Sequence, residues 1–301
     1  MRIISVGEIL WDVFESGEHL GGAAFNFAAH AARLGHTVHF ISAVGADQRG
    51  RRALEQAARL GLSPRYIRCV PQQATGVVSV TVDAAGQPAF TIHRPAAYDF
   101  PELSPQELHQ LSAQSPAWIY FGTLAQMSPQ TKELTFRLIE SNPGARRFYD
   151  VNLRANSFEP ALVLELLTRA SLVKLNEQEV RTLEEVFGRP HRSLEDFCRR
   201  HIERFAWEGV CVTRGAQGCA LLVGGEYLEA PGYRVQVADT VGAGDAFAAA
   251  FLHGLGCGWP AREVADFANR VGALVASRRG AIPEWTLEEA TNGSWNVDRG
   301  S

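Results

Sequence analysis

Short runs of apolar, β-branched and aromatic residues recur along the first two thirds of the chain: RIISVG, TVHFISAVG, AWIYFG, RRFYDVN, SLVKLN and GVCVTRG. Between them the apolar positions return at helical spacing. The clearest such segment is residues 51–60, where Leu54, Ala57, Ala58 and Leu60 fall near one face before Gly61 stops the helix. Strand and helix in alternation predict a central, mainly parallel sheet with helices on both faces. One stretch departs from the rhythm. Residues 75–94, TGVVSVTVDAAGQPAFTIHR, read as two strands around the turn DAAGQ with no helix between them. A strand pair of this kind joins a parallel core poorly, so a small sheet outside the core is expected, acting as a lid over a site. An antiparallel edge on the main sheet is the alternative. The polar tail TNGSWNVDRGS is expected to be loosely ordered.

Composition narrows the classes of function. The chain has 301 residues, 46% of them hydrophobic and 21% charged, with a formal net charge of -4. That balance leaves no basic face for a nucleic-acid backbone. Glu8 and Asp12 interrupt the opening MRIISVGEILWDVF, which excludes a signal segment and a membrane span there, and the apolar run at 246–252 is too short to cross a bilayer. A cytoplasmic enzyme with no nucleic-acid and no membrane partner is the expectation. The five cysteines have no CxxC spacing and read as reduced, mostly packed thiols.

The candidate chemistry sits where glycines meet helix starts. In DTVGAGDAFAAAF, residues 239–251, Gly242, Ala243, Gly244 and Asp245 precede an apolar helix. Unpaired N–H groups and a positive dipole end would welcome a phosphate there, and small residues would let it approach. Asp245 has two readings: a helix N-cap, or a base that takes a proton from a hydroxyl attacking a phosphoryl group. Lysine occurs only at Lys132 and Lys174, neither after a glycine-rich loop, so the P-loop pattern is absent. The dinucleotide fingerprint GxGxxG is absent after the first strand as well. A second glycine pair, Gly21 and Gly22, opens LGGAAFNFAAHAARLG, with Asn26 one turn in and Asp12 upstream. Either a polar ligand or a plain turn would explain it. Arg154 closes DVNLR at a predicted strand end, where open α/β sheets place ligands, and Arg94 ends the suspected lid. Both arginines can also be read as solvated surface charges.

Taken together and in order, these motifs resemble the ribokinase-like (PfkB) family of carbohydrate kinases. GGAAFNFAAHAARLG resembles its N-terminal signature and DTVGAGDAF its C-terminal one; KLNEQE, TRGAQG and FANRVGALVASRRGAIPEW match further blocks across nearly the whole chain. The resemblance implies a single Rossmann-like α/β kinase domain over 1–301, with a β-sheet lid from segments near 10–20 and 75–98. It implies ATP as donor, Mg2+ as its metal, and a sugar hydroxyl as acceptor. By motif, Gly242, Ala243 and Gly244 form the anion hole and Asp245 is the base. Asn176 and Glu179 act near Mg–ATP through water, and Thr213, Gly215, Gly218 and Asn269 match nucleotide-side positions. Asp239, Val241, Val275, Arg278, Gly280 and Glu284 match a K+ site found in many relatives. Glu284 stands where a small polar residue is often found, and the resemblance leaves K+ dependence as an open expectation.

Asp12, Gly21, Gly22, Asn26, Arg94 and Arg154 match substrate-side positions. Ala23 stands where the ribokinase branch has a lysine, which argues against ribose. GEILWDVF and DVNLR resemble the fructokinase branch, so fructose 6-phosphate is the expected product. In 2-keto-3-deoxygluconate kinases the two matching arginines pair with a carboxylate, so that acceptor stays open, as does a riboside. A non-catalytic sugar- or nucleotide-binding regulator is a further alternative, and a homodimer through the lid is compatible with the family.

Overall fold

The computed structural model describes residues 1–15, 17–82, 88–154, 158–188 and 190–293. The DAAGQ turn at 83–87 and the tail from 294 onward lie outside the described residues. The strands are β1 (Arg2–Val6), β2 (Leu10–Phe14), β3 (Gly17–Gly21), β4 (Thr37–Gly45), β5 (Ile67–Val70), β6 (Gly76–Val82), β7 (Pro88–His93), β8 (Trp118–Gly122), β9 (Arg146–Asp150), β10 (Leu172–Asn176), β11 (Gly209–Thr213), β12 (Cys219–Val223) and β13 (Glu226–Ala230). A nine-stranded sheet runs β13-β12-β11-β10-β9-β8-β1-β4-β5, and a four-stranded sheet runs β3-β2-β6-β7. Pairing is parallel for β1 with β4, β4 with β5, β9 with β10 and β10 with β11, and antiparallel for β11 with β12 and β12 with β13. The large sheet is therefore the expected mainly parallel one with an antiparallel end. The strand pair at 76–93 belongs to the separate small sheet rather than to an edge of the large one.

Burial explains both sheets. All five residues of β8 are buried, as a strand covered on both faces requires. In β6, Val78 and Val80 are buried while Val77 and Ser79 are half-buried, the period-two pattern of a sheet with one covered face. On β7, Phe90 is 55% exposed.

The chain divides into two compact units. The first comprises Met1, Tyr120–Leu124 and Arg146–Ser301; the second comprises Arg2–Ile119 and Ala125–Ala145. In the first unit the helix Ala243–Gly256 is buried at every position from 245 to 252, so its sides are covered all round, and residues 246–252 are all apolar. It packs on the helix Ala261–Ala276. A Cβ at Gly254 would lie 3.0 Å from Val264 and 3.1 Å from Trp259, which is why the close approach falls at a glycine.

In the second unit the helix Gln48–Arg59 starts at Asp47, whose side chain accepts from the Gly50 N–H at 2.7 Å. Its buried face is Gly50, Ala53 and Ala57, and Ala58 is exposed. This corrects the expected face: Ala53 and Ala57, four apart, share a side, whereas Ala58 is turned about 100° further round. The β12–β13 hairpin was absent from the predicted strands although Gly224 and Gly225 carry its signal; both have positive φ, 61° and 84°, the backbone that a tight hairpin needs. The cysteines are all free; Cys198, Cys211 and Cys219 are buried, whereas Cys69 and Cys257 are exposed, against the expectation of mostly packed thiols at those two. Among the described residues no helix is long and apolar enough to cross a membrane.

One buried histidine makes stability depend on pH. On the helix Leu194–Phe205, His201 is 3% exposed and its Nδ1 lies 2.9 Å from the Phe197 carbonyl oxygen. Burial, outweighing that bond and reinforced by His191, Arg204 and Arg200, pushes its pKa down to about 4 from 6.5. Between those values the unfolded chain binds the proton and the folded one does not. The contribution is present above about 6.5 and is lost as pH falls toward 4. The urea midpoint should fall between about pH 7.5 and pH 5, and fall less in His201→Gln; an unchanged pH dependence in that variant would discount His201.

Candidate active site

In the first unit, the predicted anion-hole residues form the first turn of the helix Ala243–Gly256. Gly242 is its N-cap with φ 78°, left-handed backbone, and makes no side-chain cap. A Cβ there would lie 2.3 Å from the Ala281 carbonyl oxygen, so both conformation and space require glycine. Asp245 stands three positions inside the helix and is 8% exposed. The N-cap reading of Asp245 is thereby corrected: the cap position belongs to Gly242. The Ala243 N–H reaches the Thr240 carbonyl at 3.3 Å, and Gly244 is exposed.

Behind this turn lies a charge cluster that the sequence reading passed over. Lys174 on β10 and Asp150 on β9 are register partners, and the Lys174 Nζ lies 2.9 and 3.0 Å from the two Asp150 carboxylate oxygens. The Lys174 side chain is 8% exposed and that of Asp150 0%. The Tyr120 hydroxyl donates to Asp150 at 3.1 Å. Burial alone would push the Lys174 ammonium down; Asp150, with Glu179 and Asp245, holds it above the ordinary lysine value. The signal was available: a lysine inside the apolar strand SLVKLN has to find a buried counter-charge.

Asn176 and Glu179 cap each other. Asn176 Oδ1 accepts from the Glu179 N–H at 2.9 Å, and Glu179 accepts the Asn176 N–H on one oxygen and the Leu153 N–H on the other, both at 2.7 Å. Glu179 thus ties the DVNLR segment to the end of β10. Burial raises its pKa to about 7, with Lys174 opposing and Asp150 adding. Arg154, at the end of that segment, is exposed.

Two of the expected nucleotide-side residues, Gly218 and Asn269, meet the end of β13 and the residue after it. A Cβ at Gly218, whose φ is 91°, would lie 2.1 Å from the Ala230 carbonyl oxygen, and the Asn269 amide donates to the Pro231 carbonyl at 3.1 Å. Thr213 ends β11 and donates weakly to the Leu175 carbonyl at 3.4 Å; Gly215 follows with φ 57°.

The residues matched to a K+ site are engaged otherwise. Asp239 accepts from the Val241 N–H at 3.0 Å and the Gly280 N–H at 3.1 Å. The Arg278 N–H donates to the Val275 carbonyl at 3.0 Å, and its guanidinium donates to the Glu284 carbonyl and the Glu289 carboxylate. A fixed cation on the Glu284 carbonyl disfavours a second cation beside it, so these residues do not fit K+ well.

In the second unit the predicted sugar-side residues meet at Gly21. Its absent Cβ would lie 3.0 Å from the Asp12 carboxylate and 3.8 Å from the Asn26 amide oxygen. Gly22, φ 111°, is the N-cap of the helix Ala23–Arg33, and its Cβ would lie 2.5 Å from the Glu8 carbonyl oxygen. The Glu8 carboxylate accepts the Ala23 N–H at 2.9 Å, so this helix start already holds a charge from its own chain. Arg94 forks onto Asp99, at 3.2 Å from Nε and 2.5 Å from Nη2, above the Tyr98 ring.

A mainly parallel sheet, a small separate sheet and a glycine-led helix carrying an aspartate define a ribokinase-like α/β protein. Residues 5–287 match the model of the pfkB family of carbohydrate kinases, and the chain belongs to that family. It is 33% identical over 278 residues to a fructokinase of Salmonella typhimurium, covering 87% of each chain. It superposes on a fructokinase with bound ATP from Xylella fastidiosa with TM-score 0.82 at 24% identity, over 93% of this chain and 94% of that one. It also superposes, with TM-score 0.79 at 25% identity and the same coverage, on an Escherichia coli protein provisionally assigned as ribokinase II in complex with ATP and Mg2+.

The two glycines of the turn should respond differently to a methyl group. Gly242→Ala meets left-handed strain and the Ala281 carbonyl and should lose roughly 2 kcal/mol or more of stability. Gly244→Ala meets only the Lys174 Nζ at 3.7 Å and should melt close to the parent. Thermal denaturation of both separates them; equal melting would remove the steric account of Gly242.

Proposed function

We propose that the protein transfers the γ-phosphoryl group of ATP to a sugar hydroxyl, with fructose as acceptor and fructose 6-phosphate as product. The observation that carries this reading is Asp245, buried inside the first turn of a helix whose cap is a left-handed glycine, in a chain of the pfkB family. The hydroxyl oxygen attacks the γ-phosphorus, the bond from that phosphorus to the β–γ bridging oxygen breaks, and ADP leaves. The hydroxyl proton passes to the Asp245 carboxylate. Backbone N–H groups at 242–244 stabilise the charge spreading over the transferring oxygens. Asp12, Gly21, Gly22 and Asn26 hold the sugar hydroxyls, and Thr213, Gly215, Gly218 and Asn269 border the nucleotide.

Mg2+ supplies charge neutralisation on the phosphates. Such an ion is usually held by phosphates and water, and Asn176 and Glu179 would meet it through water. K+ has no part in this reading, because Arg278 already engages the Glu284 carbonyl. The small sheet acts as a lid and can join two copies, and the enzyme works in the cytoplasm.

Fructose is favoured over 2-keto-3-deoxygluconate by two supports: the likeness to a Salmonella typhimurium fructokinase, and the pairing of Arg94 with Asp99, which spends the fork a substrate carboxylate would need. ADP release with Mg–ATP should be fastest with fructose among fructose, 2-keto-3-deoxygluconate, ribose and glucose; preference for the keto acid would overturn the acceptor and keep the kinase. Asp245→Asn should lower kcat by about 10²- to 10⁴-fold while ATP binding persists in calorimetry. An active Asn variant would remove the base, and no ADP release with any acceptor would favour a non-catalytic binder.

A further inference from the structure

The reaction above makes no use of Lys174, yet its buried ammonium is placed with care. Asp150 holds it by both carboxylate oxygens, at 2.9 and 3.0 Å, across adjacent parallel strands. Tyr120 orients Asp150 through a further hydrogen bond. The Nζ lies 3.7 Å from where a Cβ on Gly244 would stand, directly behind the turn that begins the helix Ala243–Gly256. A lysine has three N–H donors, and Asp150 takes two directions only.

We propose that Lys174 is a positioning residue for phosphoryl transfer: held by Asp150, it fixes a positive charge behind Gly244 that reinforces the backbone N–H groups against the charge developing in the transition state. The inference rests on the kinase reading and deepens it. Stability alone does not account for the pair, since buried ion pairs can often be replaced by apolar groups of similar volume without loss of stability. Its position behind the turn is what an electrostatic role requires: a charge in a poorly solvated place, fixed before the reaction begins. The helix end contributes a partial positive charge of its own at the same point, so the two fields add.

The test compares Lys174→Arg, Lys174→Met and the neutral pair Asp150→Asn with Lys174→Met. The double variant matters because Lys174→Met alone leaves a buried carboxylate uncompensated and can simply fail to fold. In the folded double variant kcat should fall by about 10²-fold with KM for ATP and sugar within about threefold. Affinity for ADP alone should be unchanged, while affinity for ADP with aluminium fluoride, measured by calorimetry, should fall by about tenfold or more. Lys174→Arg keeps the charge and should recover part of kcat. A double variant with parental kcat and parental aluminium fluoride affinity would overturn the proposal. If the parent protein turned over no sugar at all, the kinase reading would fail separately, and the aluminium fluoride comparison would still decide the role of Lys174.

Discussion

The buried pair of Lys174 and Asp150 is the interaction around which the first unit organises its chemistry. A charged amine with 8% exposure and a carboxylate with none survive only because each answers the other at hydrogen-bond distance. Removing one member of such a pair typically costs about 3–5 kcal/mol, since the survivor stays buried without compensation. The register of β9 against β10 is thereby tied to the place where the helix carrying Asp245 begins. Glu179 extends the tie: its two oxygens take main-chain N–H groups from Leu153 and Asn176, holding two strand ends in fixed relation.

Electrostatics in this unit is graded. The cluster contains an ammonium held above its ordinary pKa by the carboxylates around it, against its burial, and a carboxyl raised to about 7 by burial, against Lys174. One group is fixed in charge over the working range and the other is poised near neutrality. Close to them, Gly242 and Gly244 leave the helix start bare of side chains. In Gly242 the reason is steric, because the Ala281 carbonyl fills the space a Cβ would need.

The second unit solves a different problem. Its helix start at Gly22 is already satisfied by Glu8, so a negative charge arriving there would meet another. What remains beside Gly21 is a pair of polar side chains, Asp12 and Asn26, suited to neutral hydroxyls. Arg94, which a sequence reader would offer to a substrate carboxylate, is held by Asp99 five residues away. The two units thus differ in character: a buried charge cluster in one, a pair of polar side chains beside a glycine in the other.

Much of this was legible in the sequence where the physics is local. Apolar runs long enough to be buried on both faces marked the parallel strands, and TVHFISAVG matches β4 residue for residue. Glycines ahead of an apolar helix marked the turn at 242–245, and at Gly242 left-handed backbone and close approach both demand one. Tertiary structure decided the rest. The partner of Lys174 lies 24 residues away and is set by strand register, which no window of local sequence contains. Asn269 reaches the Pro231 carbonyl only because a helix packs beside the end of a hairpin, 38 residues distant in the chain. Asp245 stands inside its helix rather than at the cap because Gly242, in left-handed backbone close to the Ala281 carbonyl, takes the cap position. Local pattern determines which segments become strands and helices; which side chains meet is determined by register and packing between segments far apart in the chain.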